Sequence, residues 1–196
     1  MLKKEASAIV GGLSTPGKMP CYSINLPAWA CKLGSILAKI SGTTCHGCYA
    51  LKNRYIMPIQ QAAMIRRLKA LTHGSWTAAM VTLITGHKYF RWHDSGDIQS
   101  VAHLKNIFEV CNNTPGTMHW LPTQERKYLP LGSYPANLLI RLSNSKNNSK
   151  PGKAWTHWST VVDSGGDCPA SKQGNVCGDC RRCWSRDVKH VTYPKH

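Results

Sequence analysis

Seven of the nine cysteines stand in two tight groups, Cys31, Cys45 and Cys48 near the start and Cys168, Cys177, Cys180 and Cys183 near the end. The spacings Cys45-His46-Gly47-Cys48 and Cys177-Gly178-Asp179-Cys180-Arg181-Arg182-Cys183 put sulfurs on one small backbone loop, close enough to share a soft cation or an iron–sulfur cluster. Three cysteines leave a cubane 4Fe–4S cluster one ligand short. The first group therefore predicts an open iron that donates electrons or acts as a Lewis acid on a carbonyl or a water. The second group has enough thiols for a tetrahedral zinc site or a second cluster, and a mixed set drawn from both ends is a third arrangement. Cys111 falls on an apolar helical face and reads as packing, whereas Cys21 reads as a spare or an alternate ligand.

Disulfides are the competing use of these cysteines, and they need an oxidising compartment. The start, Met1 to Ala6, is charged and lacks the apolar run of a signal peptide, so the chain is expected to work in a cytoplasm. An odd cysteine count also leaves at least one thiol unpaired. The longest apolar stretches, such as Ala78 to Ile84, are too short to span a bilayer, so no membrane partner is expected.

The charge is the second unusual feature. Twenty-five Lys and Arg against nine Asp and Glu give +16, which favours polyanionic partners and salt-sensitive association. Trp155, His157, Trp158, Arg181, Arg182, Trp184, Arg186 and Lys189 could stack on and neutralise a single strand, or could pack around a metal site. The segment from Asn144 to Lys153 has the composition of a mobile surface loop.

These groups need elements to position them. Hydrophobic residues make up 42%, enough for one core, and 196 residues suit a single domain spanning 1–196. Within it, 1–57 reads as a Cys-rich cluster-wrapping segment with a short helix near Lys32 to Lys39, 58–163 as an α/β core, and 164–196 as a second Cys-rich segment. Pro58 suits a first helical turn, and Met64, Leu68 and Leu71 repeat on one helical face. A second helix is predicted from Ser75 to about Thr85, stopped by Gly86. Tyr89 to Trp92 then reads as a strand, Ser100 caps a helix, and Thr117 to Leu121, Leu138 to Leu142 and Trp158 to Val162 read as further strands. This alternation predicts a parallel α/β sheet, an incomplete (β/α) barrel, since a full eight-unit barrel takes about 250 residues.

Parallel sheets build sites at the carboxyl ends of their strands, which here carry His93, Asp94 and Asp97, then Thr123, Gln124 and Glu125, then Ser143 and Asn144. A strand-end histidine beside two carboxylates can move protons, hold a ligand or bind a second metal, so His93, Asp94 and Asp97 are the candidate catalytic residues. Asp97 and Ser95 can equally be turn and cap residues.

The runs Lys18 to Ala28, Cys45 to Ala50, Phe90 to Asp97, Trp120 to Thr123, Ile140 to Ser143 and Cys168 through Trp184 resemble the bacteriophage "gene product 88" family over nearly the whole chain. The resemblance implies a phage protein working in the cytoplasm of an infected bacterial host, and the family carries no named activity. Cys31, Cys45 and Cys48 also resemble the cysteine trio of radical SAM enzymes, although the first interval spans thirteen residues and no Gly-Gly-Glu motif follows. That likeness implies S-adenosylmethionine as a cofactor. Together these readings predict an iron–sulfur enzyme acting on a small molecule, radical in mechanism or a hydrolase of a small ester or amide. The competing expectation is a non-catalytic, metal-stabilised module that binds nucleic acid without sequence preference or serves regulation.

Overall fold

The computed structural model describes residues 1–130 and 132–195. Six parallel strands form one sheet in sequential order: β1 (Tyr22–Ile24), β2 (Tyr89–Trp92), β3 (Met118–Thr123), β4 (Leu138–Ser143), β5 (Trp158–Val162) and β6 (His190–Pro194). Register is continuous along the sheet, with Ile24 beside Trp92, Arg91 beside Trp120, Leu121 beside Ile140 and Ser159 beside Val191. The predicted parallel α/β class is correct. Because every strand points the same way, all carboxyl ends lie along one edge.

Side chains alternate between the two faces of a strand, and both faces are used. On one face Ile24, Phe90, Trp92, Leu121, Leu138 and Ile140 form the apolar core. Helices cover them: α1 (Lys3–Val10) brings Ala6 and Val10, α4 (Trp76–Ile84) brings Trp76 and Met80, and α5 (Val101–Asn112) brings Leu104, Ile107 and Cys111. Between β1 and β2 the chain also forms α2 (Lys32–Leu37) and α3 (Pro58–Ala70), the latter opening on Pro58 as its first residue. Ser100 caps α5, its hydroxyl accepting from the His103 N–H at 3.0 Å.

The opposite face is polar and aromatic, and the segment from Arg181 to Lys189 folds over it. Trp184 lies with its ring centre 5.3 Å from that of Trp120 and donates its indole N–H to the Phe90 carbonyl at 3.0 Å. Arg91 stacks over Trp120 at 4.7 Å. Arg141, fully buried, donates to the carbonyls of Trp158 (3.1 Å), Arg182 (3.2 Å) and Val188 (3.1 Å), with longer bonds to Lys189 and Ser185. One guanidinium thus supplies donors that a loop crossing a sheet otherwise lacks, pinning the segment before β6.

Three elements escaped sequence reading. The segment 1–57, expected as cluster-wrapping loops with one short helix, also contains α1 and β1, and the final segment supplies β6. The helix expected to reach Lys39 ends at Leu37, and β3 runs through Pro122 to Thr123. Trp158, His157 and Trp184 are buried, so of the two uses open to the aromatic set these three serve packing. The loop from Asn144 to Lys153 is anchored: Asn144 is buried and donates to the Thr160 hydroxyl at 2.6 Å.

Replacing Arg141 with Met keeps its bulk and removes its donors, leaving buried carbonyls unpaired. Urea unfolding of Arg141→Met should show a loss of about 2 kcal/mol or more. A loss below about 0.5 kcal/mol, as for a surface substitution, would show that the cage does not hold the segment.

Candidate functional site

The strand-end edge gathers the polar residues that the spacing pointed to, and each is held differently. Asp94, one residue beyond the His93 that follows β2, is a hub. Its Oδ1 accepts from the hydroxyls of Ser14 (2.7 Å) and Ser23, and its Oδ2 accepts from Asn25 Nδ2 (3.3 Å) and the Tyr55 hydroxyl (3.2 Å). Tyr49 donates its hydroxyl to the Asp94 carbonyl. Asn25 turns its amide oxygen to the buried Arg67, which also donates to the carbonyls of Gly12 (2.8 Å) and Leu13 (3.1 Å). A buried anion and a buried cation are therefore joined through one amide, and each is satisfied by hydrogen bonds rather than by direct pairing.

Asp97 closes the next turn. Its Oδ1 accepts from Thr123 Oγ1 (2.6 Å) and the Ile98 N–H (2.8 Å), and its Oδ2 from the Gln124 N–H (2.8 Å), so it ties the end of β2 to the end of β3. Burial is the largest influence on it and lifts its pKa from the usual 3.8 to about 7, against the lowering effect of those three donors. Gln124 in turn donates to the Asn144 carbonyl at 3.1 Å. Glu125 accepts from the Leu33 N–H at 2.6 Å through one oxygen, while its other oxygen is buried without a partner among the described residues.

The loop after β2 lies against the end of β1. Leu26 donates its N–H to the Ser95 carbonyl at 2.8 Å, and Ser95 returns its hydroxyl to the Leu26 carbonyl at 2.9 Å. Gly96, at φ +80°, makes this possible. A Cβ there would stand 2.5 Å from Leu26 Cβ, closer than packed carbons approach.

His93 adopts the left-handed conformation, φ +56°, uncommon for a residue with a side chain. Its ring is buried 5.3 Å from that of His103, and neither of its nitrogens has a hydrogen-bond partner among the described residues. Burial, then the neighbouring His103 and Arg91, hold its pKa well below 6.5. Burial lowers His103 to about 4. His93, Asp94 and Asp97 thus share one edge, with Asp94 and Asp97 committed to structural hydrogen bonds. Sequence reasoning missed Ser14, Ser23, Asn25, Tyr55 and Arg67. Ser23 and Asn25 carry a faint signal, polar residues alternating with Ile24 and Leu26.

The cysteine readings need correction. Among the described residues no group of three or more His, Cys, Asp or Glu is gathered so that it could hold a metal ion. All nine cysteines are free thiols, and Cys111 packs in the core as expected. Burial first, then Asp97, Cys45 and other negative neighbours, push Cys31 far up, and burial, then Cys48, Asp97 and Glu125, push Cys45 to about 12. At the far end Cys183 contacts the Tyr193 hydroxyl at 3.1 Å and is raised to about 11, chiefly by burial. This arrangement overturns the expected 4Fe–4S cluster on Cys31, Cys45 and Cys48 and the zinc or second cluster on Cys168, Cys177, Cys180 and Cys183. The S-adenosylmethionine site, the radical or Lewis-acid hydrolase chemistry, and the metal-stabilised binding module fall with it.

Fold and edge together define a parallel α/β protein whose strand ends carry a hydrogen-bonded polar network built from its own side chains. Residues 2–166 match the family model described as Gene product 88, and the chain belongs to that family. Comparisons with curated proteins and with solved structures return no match. The radical SAM likeness gains no support from them.

Asp97 gives this network a measurable pH signature. Its folded pKa lies above the unfolded value, so its stabilising share is complete below about pH 4 and is lost as pH rises through about 7. His93 and His103 act oppositely, since burial lowers them: their share is complete above about 6.5 and is lost as pH falls. The difference between wild type and Asp97→Asn isolates the carboxyl. Between pH 4 and 7 wild-type stability relative to the variant should fall by at most about 1.4 kcal/mol per unit. Parallel stability curves across that range would contradict this assignment.

Proposed function

We propose that the protein binds polyanions, single-stranded nucleic acid foremost, across the strand-end edge. The observation that carries this reading is where the charges sit. Of 25 basic residues only Arg67 and Arg141 are buried. Of nine carboxylates, Asp94, Asp97 and Glu125 are buried, so the exterior is more basic than the composition implies. Among the described residues two ion pairs occur, Arg182 with Asp167 and Lys195 with Asp163. Most surface cations therefore lack a carboxylate partner, and they are free to neutralise phosphates and release counterions.

Several exposed cations belong to segments that continue from strand ends. Lys32 opens α2, beside the Leu33 amide that meets Glu125, and Arg126 follows Glu125. Lys146 follows β4, and a short antiparallel bridge to Thr43 brings the 39–52 stretch, with Lys39 and Lys52, alongside it. Trp29, 54% exposed, lies on the same stretch of chain after β1, a flat ring of the kind on which bases stack. The sheet, on this reading an incomplete barrel open between β1 and β6, acts as a rigid support for that edge. The resemblance to a bacteriophage family suggests action in the cytoplasm of an infected bacterium. No helix among the described residues is long and apolar enough to cross a membrane.

Fluorescence anisotropy with a labelled single-stranded oligonucleotide tests the proposal. Affinity should fall log-linearly with salt, with a slope of about 0.7 for each phosphate neutralised. The triple change Lys32→Glu, Arg126→Glu, Lys146→Glu should weaken binding by about tenfold or more at low salt. No binding at low salt, or binding untouched by the triple change, would refute the assignment of this edge.

A further inference from the structure

Cys45 and Cys48 stand at the two ends of a tight turn. The Cys48 N–H donates to the Cys45 carbonyl at 3.1 Å, and Gly47, third in the turn, has φ +70°. A turn of this kind keeps its end Cα atoms within about 7 Å. Disulfides span about 4.4–6.8 Å between Cα atoms. The turn is fixed to the protein through the His46 N–H on Thr43 Oγ1 (3.2 Å) and the Thr44 N–H on the Ser145 carbonyl (2.9 Å).

A third sulfur comes from another element. A Cβ on Gly34 would lie 3.6 Å from Cys31 Sγ and 3.7 Å from Cys45 Sγ, so the two sulfurs flank one glycine of α2. Cys45 therefore has one potential partner across a turn and one across Gly34, and all three thiols are free and partly accessible.

We propose that Cys45 is the pivot of a thiol–disulfide exchange site whose substrates are small disulfides of the oxidised glutathione class. Cys48, as its thiolate, attacks a sulfur of the small disulfide, forming a mixed disulfide and releasing one small thiolate, which takes up the proton the cysteine gave up, while Cys45, held protonated by burial, is the resolving thiol. The second cysteine then attacks the protein sulfur of that mixed disulfide. The Cys45–Cys48 bond forms, and the second small thiolate leaves with the second proton. The protein loses two electrons and two hydrogens, and the small disulfide becomes two thiols. Cys31 can next attack Cys45, transferring the bond to Cys31–Cys45 and freeing Cys48. This chemistry is independent of polyanion binding.

The test uses the full-length protein, incubated with oxidised glutathione, alkylated and mapped by mass spectrometry. The expected result is Cys45 linked to Cys48 or to Cys31, reversed by reduced glutathione. In Cys45→Ser, Cys31 and Cys48 should stay free or carry glutathione, without a link to each other. Cys45 remaining alkylatable while other cysteines, Cys177 and Cys180 included, become linked would overturn the proposal. So would a Cys31–Cys48 bond forming in Cys45→Ser as readily as the wild-type links. The wild-type arm stands even if the variant fails to fold.

Discussion

The carboxylate of Asp94 is the constraint on which the strand-end edge depends. An ionised carboxylate out of water is expensive unless its lone pairs are met by donors. Here four donors come from three places in the chain: Ser14 after α1, Ser23 and Asn25 on and after β1, and Tyr55 in the segment leading to α3. Satisfying one side chain therefore fixes the N-terminal segment, the edge strand β1 and the long β1–β2 connection together. A strand of three residues has little pairing of its own, and this network explains how β1 holds its place beside β2. Arg67 extends the network to α3 through Asn25.

Burial of acidic residues also shapes the exterior. Drawing three of nine carboxyl groups inside leaves lysine and arginine in excess on the surface, with exposed Lys32, Arg126 and Lys146 close in sequence to residues of the strand-end network. On the far face Arg141 plays the complementary part, a buried cation that gathers carbonyls instead of carboxylates.

Much of the sheet was legible because its central strands are runs of apolar residues bounded by turn residues; Tyr89 to Trp92 and Trp158 to Val162 carry their own boundaries. The strand-end rule for parallel sheets likewise placed His93, Asp94, Asp97, Thr123, Gln124 and Glu125 on one edge. The edge strands β1 and β6 were hidden: Tyr22 to Ile24 is too short for periodicity, and His190 to Pro194 is polar and ends on proline. Cysteine spacing misled for a physical reason. Loop proximity brings thiols near one another in pairs, whereas a metal site needs three or more ligands gathered on one point, and no such group forms among the described residues.

Hydrogen exchange on Asp94→Ala, compared with wild type, addresses the hub directly. With the carboxylate removed, amides of residues 12–25 and 49–57 should lose protection together, while those of β3 and β4 keep theirs until global unfolding. Unchanged protection in both segments, or loss confined to the loop around residue 94, would contradict the view that this one side chain ties the N-terminal half of the protein to the sheet.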